Sequence, residues 1–453
     1  MERIIRFTDW LWGFPIVLLL FFASIFLTIY LKGVQFRHFF YILKQTFGSV
    51  NKEPKGEGTI TPRQALTSAL SSTVGAANII GVPVAITLGG PGAIFWMIFI
   101  AFFGMALKFS EVTLGIHYRE KNAVGEFVGG PTYYMKKGIK NKKLGAFLAT
   151  FFAIAIVIEI IPSTMVQGNS LASTVYDTFN VDTWITGLIV AILAALVVFG
   201  GVKRIATVTE IIVPIMVGFY LLFGFIIIFM NITVVPEVIM LVIEKAFKPD
   251  AAIGGGVAAA LAQSIRWGFA RGIYSNEAGM GTSSIAHAAA KTDHPVRQAF
   301  WGVTEIIIDT LIICSTTAFV VLVSGVYKAE DAAENAGALT SRAFGDAYGT
   351  MGNILVSTSL IFFVISTIIV IIFYGSRMAE FLFGLWAGKV MKAVYVVAIL
   401  LGALSLGTDV WNFLDLTLAF VLIPNIIAVV LLAPKVKELT VDFFNNVKPK
   451  DKK

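Results

Sequence analysis

The chain has 453 residues, of which 57% are hydrophobic and 14% are charged, and its mean hydropathy is +0.83. A soluble domain usually carries about 25% charged residues, so this composition excludes an ordinary soluble protein. The net charge of +7 does not indicate nucleic-acid binding, because Lys and Arg are concentrated in short loops beside apolar segments. The single cysteine, Cys314, excludes an intramolecular disulfide.

Apolar runs of about twenty residues recur along the chain, and each is long enough to cross the ~30 Å hydrocarbon core of a bilayer. The first run is too long for a signal peptide, and no small-x-small cleavage site precedes Lys32, so we interpret it as a true span. The sequence therefore predicts an all-α polytopic protein in the lipid bilayer. Eleven spans are predicted, at residues 10–31, 64–87, 91–118, 145–175, 184–201, 206–230, 253–284, 296–326, 348–376, 390–406 and 411–434.

The basic residues predict the orientation of these spans. With the N-terminus outside, the cytoplasmic loops hold 26 Lys and Arg and the outer segments hold six. Because cytoplasmic loops carry an excess of basic residues, we expect an outer N-terminus and a cytoplasmic C-terminus in a plasma or inner membrane. The loops at 129–145 and 329–349 are expected to form surface helices, the first cytoplasmic and the second extracellular.

Four regions follow from this pattern. They are an extra N-terminal span with its cytoplasmic loop (1–63), a first five-helix repeat (64–230), a second five-helix repeat (231–434) and a basic cytoplasmic tail (435–453). Each set of five begins with a polar segment that glycines interrupt, at 65–87 and 253–284. Interrupted helices at matching places in two halves indicate a transporter site between inverted repeats.

The first interrupted segment reads "LSSTVGAANIIG" (70–81), and we expect its break at 74–77. A break in lipid exposes backbone groups that need partners. The outer half-helix, starting near Asn78, would offer N–H groups to a carboxylate. The last carbonyls of the inner half-helix, with the hydroxyls of Ser71, Ser72 and Thr73, would suit a cation. A close-packed interface of small residues is the alternative, but the Asn78 amide demands a partner.

The second interrupted segment reads "AQSIRWGFARGIYSNEAGMGTSSIAHAAA" (262–290). We expect Gly268 and Gly272 to permit its unwinding, so that nearby carbonyls accept from an ammonium group. Arg266, Arg271 and Glu277 are interpreted as an internal salt-bridge set, with direct ligand binding as the alternative, because charges in a span normally face each other or a wet cavity.

Further polar residues lie inside later spans. Gln167 belongs to the third core helix, and Ser366 and Thr367 belong to "FFVISTIIVII" in the eighth. Such hydroxyls often bond to their own helix backbone, so an ion-binding role and this structural role both stay open. Small residues at the two breaks, with Phe269 closing the remaining space, predict a pocket for a methyl side chain.

Four motifs carry a resemblance to a known family: "GGPGAIFWM", "MVQGNS", "SNEAGMG" and "IAHAAAKTDHPVRQ". Over residues 60–434 the chain resembles the alanine-or-glycine:cation symporters, members of the amino acid–polyamine–cation superfamily with the leucine-transporter fold. That fold is a 5+5 inverted repeat with discontinuous core helices 1 and 6. Family members usually read Gly-Thr-Gly-Asn where this chain has Gly-Ala-Ala-Asn at 75–78, and Trp where it has Ile98. The extra methyl of Ala77 would either tighten the pocket or move the break.

The resemblance implies roles for particular residues. Asn78 and the neighbouring backbone would hold the substrate carboxylate, and Glu111 would brace an unwound helix. Substrate-binding residues would be Thr73, Gly75, Ala76, Ala77, Asn78, Gln167, Gly268, Phe269 and Gly272. Sodium ligands would be Ser71, Val74, Val364, Ser366 and Thr367.

The expected function is sodium-coupled import of alanine and glycine, with D-alanine as a further candidate, by alternating access. Sodium is the expected coupling ion, and no organic cofactor is implied. The alternative is a proton-coupled symporter of the same fold, in which Glu159 or Glu277 would carry the coupling. A membrane enzyme would need a convergent catalytic cluster and a channel would need rings of like charge. The sequence indicates neither.

Overall fold

The computed structural model describes residues 2–50, 53–248, 256–404 and 408–448, and most of them are helical. A two-residue antiparallel hairpin pairs β1 (Glu120–Lys121) with β2 (Phe127–Val128). π-Helical turns occupy Ala77–Gly81, Ile307–Cys314 and Phe443–Val447, and 3-10 turns occupy Val326–Lys328 and Ala336–Ala338. The α-helices are α1 (Glu2–Tyr30), α2 (Val34–Arg37), α3 (Phe39–Phe47), α4 (Pro62–Thr73), α5 (Val82–Gly89), α6 (Ala93–His117), α7 (Pro131–Gly138), α8 (Lys142–Phe179), α9 (Thr183–Val198), α10 (Gly201–Met230), α11 (Val235–Phe247), α12 (Gly256–Asn276), α13 (Ser283–Ala288), α14 (Pro295–Ile306), α15 (Ser315–Ser324), α16 (Leu339–Tyr348), α17 (Thr350–Phe383), α18 (Leu385–Leu404), α19 (Thr408–Leu431) and α20 (Ala433–Asp442).

Length and composition confirm a polytopic membrane protein. Among the described residues, eight helices are long and apolar enough to cross a bilayer, or nine if a bent pair counts as one span. Of the other predicted spans, 184–201 overlaps the shorter apolar helix α9. The span 253–284 contains α12 and the start of α13, and its first residues lie outside the described part. The count of eleven spans stays a prediction.

The first predicted break is present. Helix α4 begins with a capping box, in which Thr61 and Gln64 satisfy each other's backbone N–H groups. It ends at Val74, whose extended backbone (ψ 92°) stops the helix. The chain resumes with the π-helical turn Ala77–Gly81 and α5, and the two halves are bent by 50°.

The second break does not lie where the sequence analysis placed it. Helix α12 runs without interruption through Gly268 and Gly272 to Asn276, and the backbone turns at Glu277, Gly279 and Gly281, which have left-handed φ angles of 54°, 98° and 76°. Unwinding at Gly268–Gly272 was therefore wrong. These two glycines serve packing instead: a Cβ on Gly268 would lie 2.4 Å from the Ala93 carbonyl oxygen of α6.

The two broken helices lie inside the bundle. Helices α6, α10, α14 and α17 pack around α4 and α12, and α8 packs against α17, α18 and α19. The N-terminal helix α1 lies against α6, α12 and α19. The expected loop helices are also found, as α7 on the first loop and α16 on the second. This packing brings the two breaks together within the protein interior.

Candidate functional site

A small cavity of about 50 Å³ lies where the two breaks meet. Its lining comes from α4 and the turn after it, α8, the end of α12 with the following break, α17 and α19. Four of the predicted substrate-binding residues line it: Thr73, Gly75, Ala77 and Gln167. The predicted sodium ligand Thr367 lines it too, as do Glu159 and Glu277.

Gln167 reaches this cavity from α8. Its Oε1 atom is buried and has no hydrogen-bond partner among the described residues. An unpaired buried acceptor costs about 1–3 kcal/mol. A ligand that donates a hydrogen bond, such as an ammonium group, would satisfy this oxygen.

Asn78 faces away from the cavity, contrary to the expectation that it contacts substrate. Its Oδ1 accepts a hydrogen bond from the Gly75 N–H at 2.9 Å, and its Nδ2 donates to Asp309 Oδ1 at 2.7 Å and Ser275 Oγ at 3.1 Å. The fully buried amide therefore finds its partners inside the protein. It closes the first break and joins it to α12 and the π-helical turn Ile307–Cys314.

Oxygen atoms from the predicted sodium ligands converge beside the first break. The Thr367 hydroxyl lies 2.9 Å from the Ser71 carbonyl oxygen, 3.5 Å from that of Val74 and 2.9 Å from that of Phe363 on its own helix. The Ser71 Oγ is buried without a hydrogen-bond partner among the described residues, and Val364 is buried one turn before Thr367 on α17. Neutral oxygens of this kind are the ligands that hard cations prefer.

Ser366 is not part of this convergence. Its hydroxyl donates to the Phe363 carbonyl at 2.9 Å and lies 3.4 Å from Met216 Sδ on α10. This is the helix-backbone bond that the sequence left open as the alternative; Thr367 forms it too, but only Thr367 also reaches the Ser71 carbonyl. Serine hydroxyls in helices form it easily because the carbonyl one turn earlier is within reach.

Four other expected residues lie outside the cavity lining. Gly268 and Gly272 face α6, and Phe269 stacks on Phe21 with ring centroids 5.8 Å apart. Ala76 is partly buried but is not among the lining residues. The continuous helix explains the positions of Gly268, Phe269 and Gly272. Because α12 is not unwound there, these residues stay packed against α6 and α1.

The expected salt-bridge set of Arg266, Arg271 and Glu277 does not form among the described residues. The Arg271 guanidinium lies over the Trp267 ring, 5.2 Å from its centroid. Glu277 instead accepts hydrogen bonds from Thr282 at 2.5 Å and Ser72 at 3.3 Å. This carboxylate therefore joins the second break to α4.

Two buried acids secure the segments around the second break. Glu111 on α6 accepts from the Gly279 N–H at 3.0 Å, as its expected bracing role requires. Glu305 on α14 pairs with Lys108 of α6 at 3.1 Å, and both side chains are fully buried. The Ser283 hydroxyl lies 2.7 Å from each of them. Lys108 was missed in the sequence, although a lone lysine in an apolar span is a signal for a buried partner.

Comparison with known proteins decides the family. A model of the sodium:alanine symporter family matches residues 1–453. The chain belongs to this family. An uncharacterized transporter of Bacillus subtilis, YflA, is 56% identical over 98% of this chain and 95% of its own length. The sodium/alanine symporter AgcS of Methanococcus maripaludis is 39% identical over 98% of this chain and 97% of its own length.

A solved structure supports the fold. The crystal structure of MhsT in complex with L-phenylalanine matches 85% of this chain and 89% of its own chain, with a TM-score of 0.59 and 14% identity. At this identity the likeness establishes the fold alone. The chain therefore has the leucine-transporter fold, and its family places it among the amino-acid symporters of the membrane.

Proposed function

We propose that this symporter imports alanine and glycine, with D-alanine as a further candidate, and that inward sodium flow drives the uptake. The observation that carries the proposal is the convergence of Thr367 Oγ1 on the carbonyl oxygens of Ser71 and Val74, beside the cavity. The family description and the printed name of AgcS support sodium and alanine. Sodium is cargo in this scheme, because it is carried across the membrane with the amino acid.

The cavity suits a small zwitterion. Backbone groups near Gly75 and Ala77, at the start of the outer half-helix, would receive the carboxylate. Gln167 Oε1 would accept a hydrogen bond from the ammonium group. Asn78 then acts as a positioning residue, because it holds the backbone of the break without lining the cavity.

Transport would follow alternating access. Helices α4–α6 and α12–α15 would move against the rest of the bundle and open the cavity to one side at a time. The excess of basic residues in the proposed cytoplasmic loops supports a cell-membrane protein with an outer N-terminus and a cytoplasmic C-terminus.

A proton-coupled symporter of the same fold is the second candidate. The observation in its favour is that two carboxylic acids, Glu159 and Glu277, line the cavity. A carboxyl group that gains and loses a proton there would couple proton flow to the amino acid.

Uptake of labelled alanine into sealed proteoliposomes tests both candidates. A sodium gradient at equal pH on both sides is expected to drive accumulation, and an ionophore that dissipates this gradient is expected to abolish it. Accumulation driven by a pH gradient in sodium-free buffer would favour proton coupling. No accumulation under either gradient would contradict the proposed symport of alanine.

A further inference from the structure

The cavity between the breaks contains two acids and no basic residue among its lining side chains. Glu159 comes from α8 and is 4% exposed, and Glu277 comes from the second break and is 7% exposed. Both side chains line the same small cavity. Placing two like charges in a buried cavity is unfavourable unless positive charge compensates them.

Nearby basic residues do not supply that compensation. Lys108 contacts Ser283, just after the second break, but its ammonium lies 3.1 Å from Glu305, which is its own ion-pair partner. Arg271 lies over the rings of Trp267 and Tyr274 and does not line the cavity. When both carboxyl groups are ionised, the compensating charge has to come from a bound group; without one, a carboxyl group takes up a proton.

The backbone at Glu277 supports a functional role for its side chain. Its φ of 54° is left-handed, a conformation in which helices usually end with glycine. The chain uses glycine at the two other left-handed positions of this break, Gly279 and Gly281. A glutamate held in such a conformation costs conformational energy, and residues of this kind cluster at ligand sites.

The bonds of Glu277 leave room for a ligand. Its Oε2 accepts from the hydroxyls of Thr282 and Ser72, which orient the carboxylate. Oε1 makes no hydrogen bond with a described residue. The side chain is thus held from one side and open on the other, toward a cavity that it shares with Glu159.

We propose that Glu159 and Glu277 together form a site for a positively charged group, supplied by the ammonium of the substrate or by a second coupling cation. This inference rests on the proposed function. It goes beyond that function because two ionised carboxylates need two positive charges, whereas a zwitterionic amino acid adds no net charge and one sodium ion offsets only one of them.

The experiment measures labelled-alanine binding to the purified full-length chain over a range of sodium concentrations. Glu159→Gln and Glu277→Gln remove one charge each and keep the side-chain size. Glu237→Gln, at an exposed acid on α11, is the matched control. Glu159→Asp and Glu277→Asp keep the charge, and thermal unfolding of each variant shows whether it is folded.

Two results support the proposal and separate its two sources. If the acids hold the ammonium, both Gln variants bind alanine at least about tenfold more weakly at saturating sodium. L-lactate, which has a hydroxyl in place of the ammonium, then competes relatively better in these variants than in the wild type. If the acids hold a second coupling cation, alanine affinity at saturating sodium is retained, and the cooperativity of sodium activation is lost.

Other results overturn the proposal. Gln variants that are folded and keep wild-type alanine affinity and sodium dependence within about twofold would reduce the acids to a structural role. If the wild type itself bound no alanine, the proposed function would fail instead. In that case the test is the thermal stabilisation of the protein by sodium or by methylammonium alone. Loss of this stabilisation in both Gln variants would support a cation site at the two acids, and its retention in both variants would overturn that site.

Discussion

At the scale of single residues, Asn78 shows that a sequence can indicate correctly that a buried polar group needs a partner and still suggest the wrong partner. An amide in a membrane span needs hydrogen bonds, and the resemblance suggested a substrate carboxylate as the acceptor. The structure satisfies the amide with Gly75, Ser275 and Asp309. The role of this side chain in binding is therefore indirect.

Asn78→Ala is expected to lower thermal stability as well as alanine affinity. It leaves the Gly75 N–H without a partner, at a cost of about 1–3 kcal/mol, and removes the donor to Asp309 Oδ1, while Ser275 and Thr310 still donate to Oδ2. Thermal unfolding in detergent and alanine binding are the two measurements. A variant with wild-type stability but no alanine binding would contradict this indirect role and support the direct contact between Asn78 and the substrate that the sequence suggested.

Thr367→Val is expected to raise the sodium concentration needed for half-maximal transport by at least about tenfold. It removes a hydroxyl that would bind a cation, and a hydrogen-bond partner of a charged group contributes about 1.5–3 kcal/mol, where about 1.4 kcal/mol is tenfold. Ser366→Ala is the matched control, since that hydroxyl bonds to the same Phe363 carbonyl and to Met216 but not to the first break. Equal sodium dependence in both variants would contradict the proposed sodium site.

At the scale of elements, glycines in α12 differ in kind from those in the break that follows it. Gly268 and Gly272 have helical neighbours on both sides and lie against α6, whereas Gly279 and Gly281 have left-handed backbones. Sequence alone treats these positions alike, because a missing side chain permits both close packing and unwinding.

Gly268→Ala is expected to destabilise the protein by about 1–3 kcal/mol, because the new methyl group would force α12 away from α6. A Cβ atom at residue 268 would lie 2.4 Å from the Ala93 carbonyl oxygen, which is closer than a methyl group can approach. Gly218→Ala on α10 is the control, since a Cβ there has nothing within 4 Å. Thermal unfolding of both variants checks this, and an unaffected Gly268→Ala protein would contradict the close approach of the two helices.

At the scale of the whole molecule, the bundle encloses a small polar site within an apolar interior. Ionisable groups there are ion-paired, as Lys108 is with Glu305, accept hydrogen bonds from neutral groups, as Glu111 and Asp309 do, or face the cavity, as Glu159 and Glu277 do. The small cavity and the methyl group of Ala77 leave little room for a long side chain. Substrate size should therefore be limited by the packing of several helices rather than by one residue.

Leucine is expected to bind at least about tenfold more weakly than alanine. Overpacking a well-packed site costs about 1–3 kcal/mol, and about 1.4 kcal/mol corresponds to tenfold. Glycine is expected to bind more weakly than alanine by about 0.8 kcal/mol of binding free energy, because it lacks the methyl group. Competition against labelled alanine by glycine, D-alanine, serine, valine and leucine measures the series. Effective competition by leucine would contradict the small pocket.

The sequence by itself determined the membrane class, the family motifs and the first break. These features are local or compositional: apolar runs set the span candidates, and "SSTVGAAN" (71–78) interrupts one of them with residues that need partners. The resemblance also predicted that Thr367 lies with Ser71 and Val74, and the structure places the Thr367 hydroxyl beside the carbonyl oxygens of both residues.

Only the tertiary structure decided where the second helix unwinds, which way Asn78 and Phe269 point, and that Glu159 and Glu277 share one cavity. The physical reason is that each of these depends on a partner from a distant part of the chain. Hydropathy and spacing report that a buried polar group must be satisfied, but the packing of the helices determines which group satisfies it.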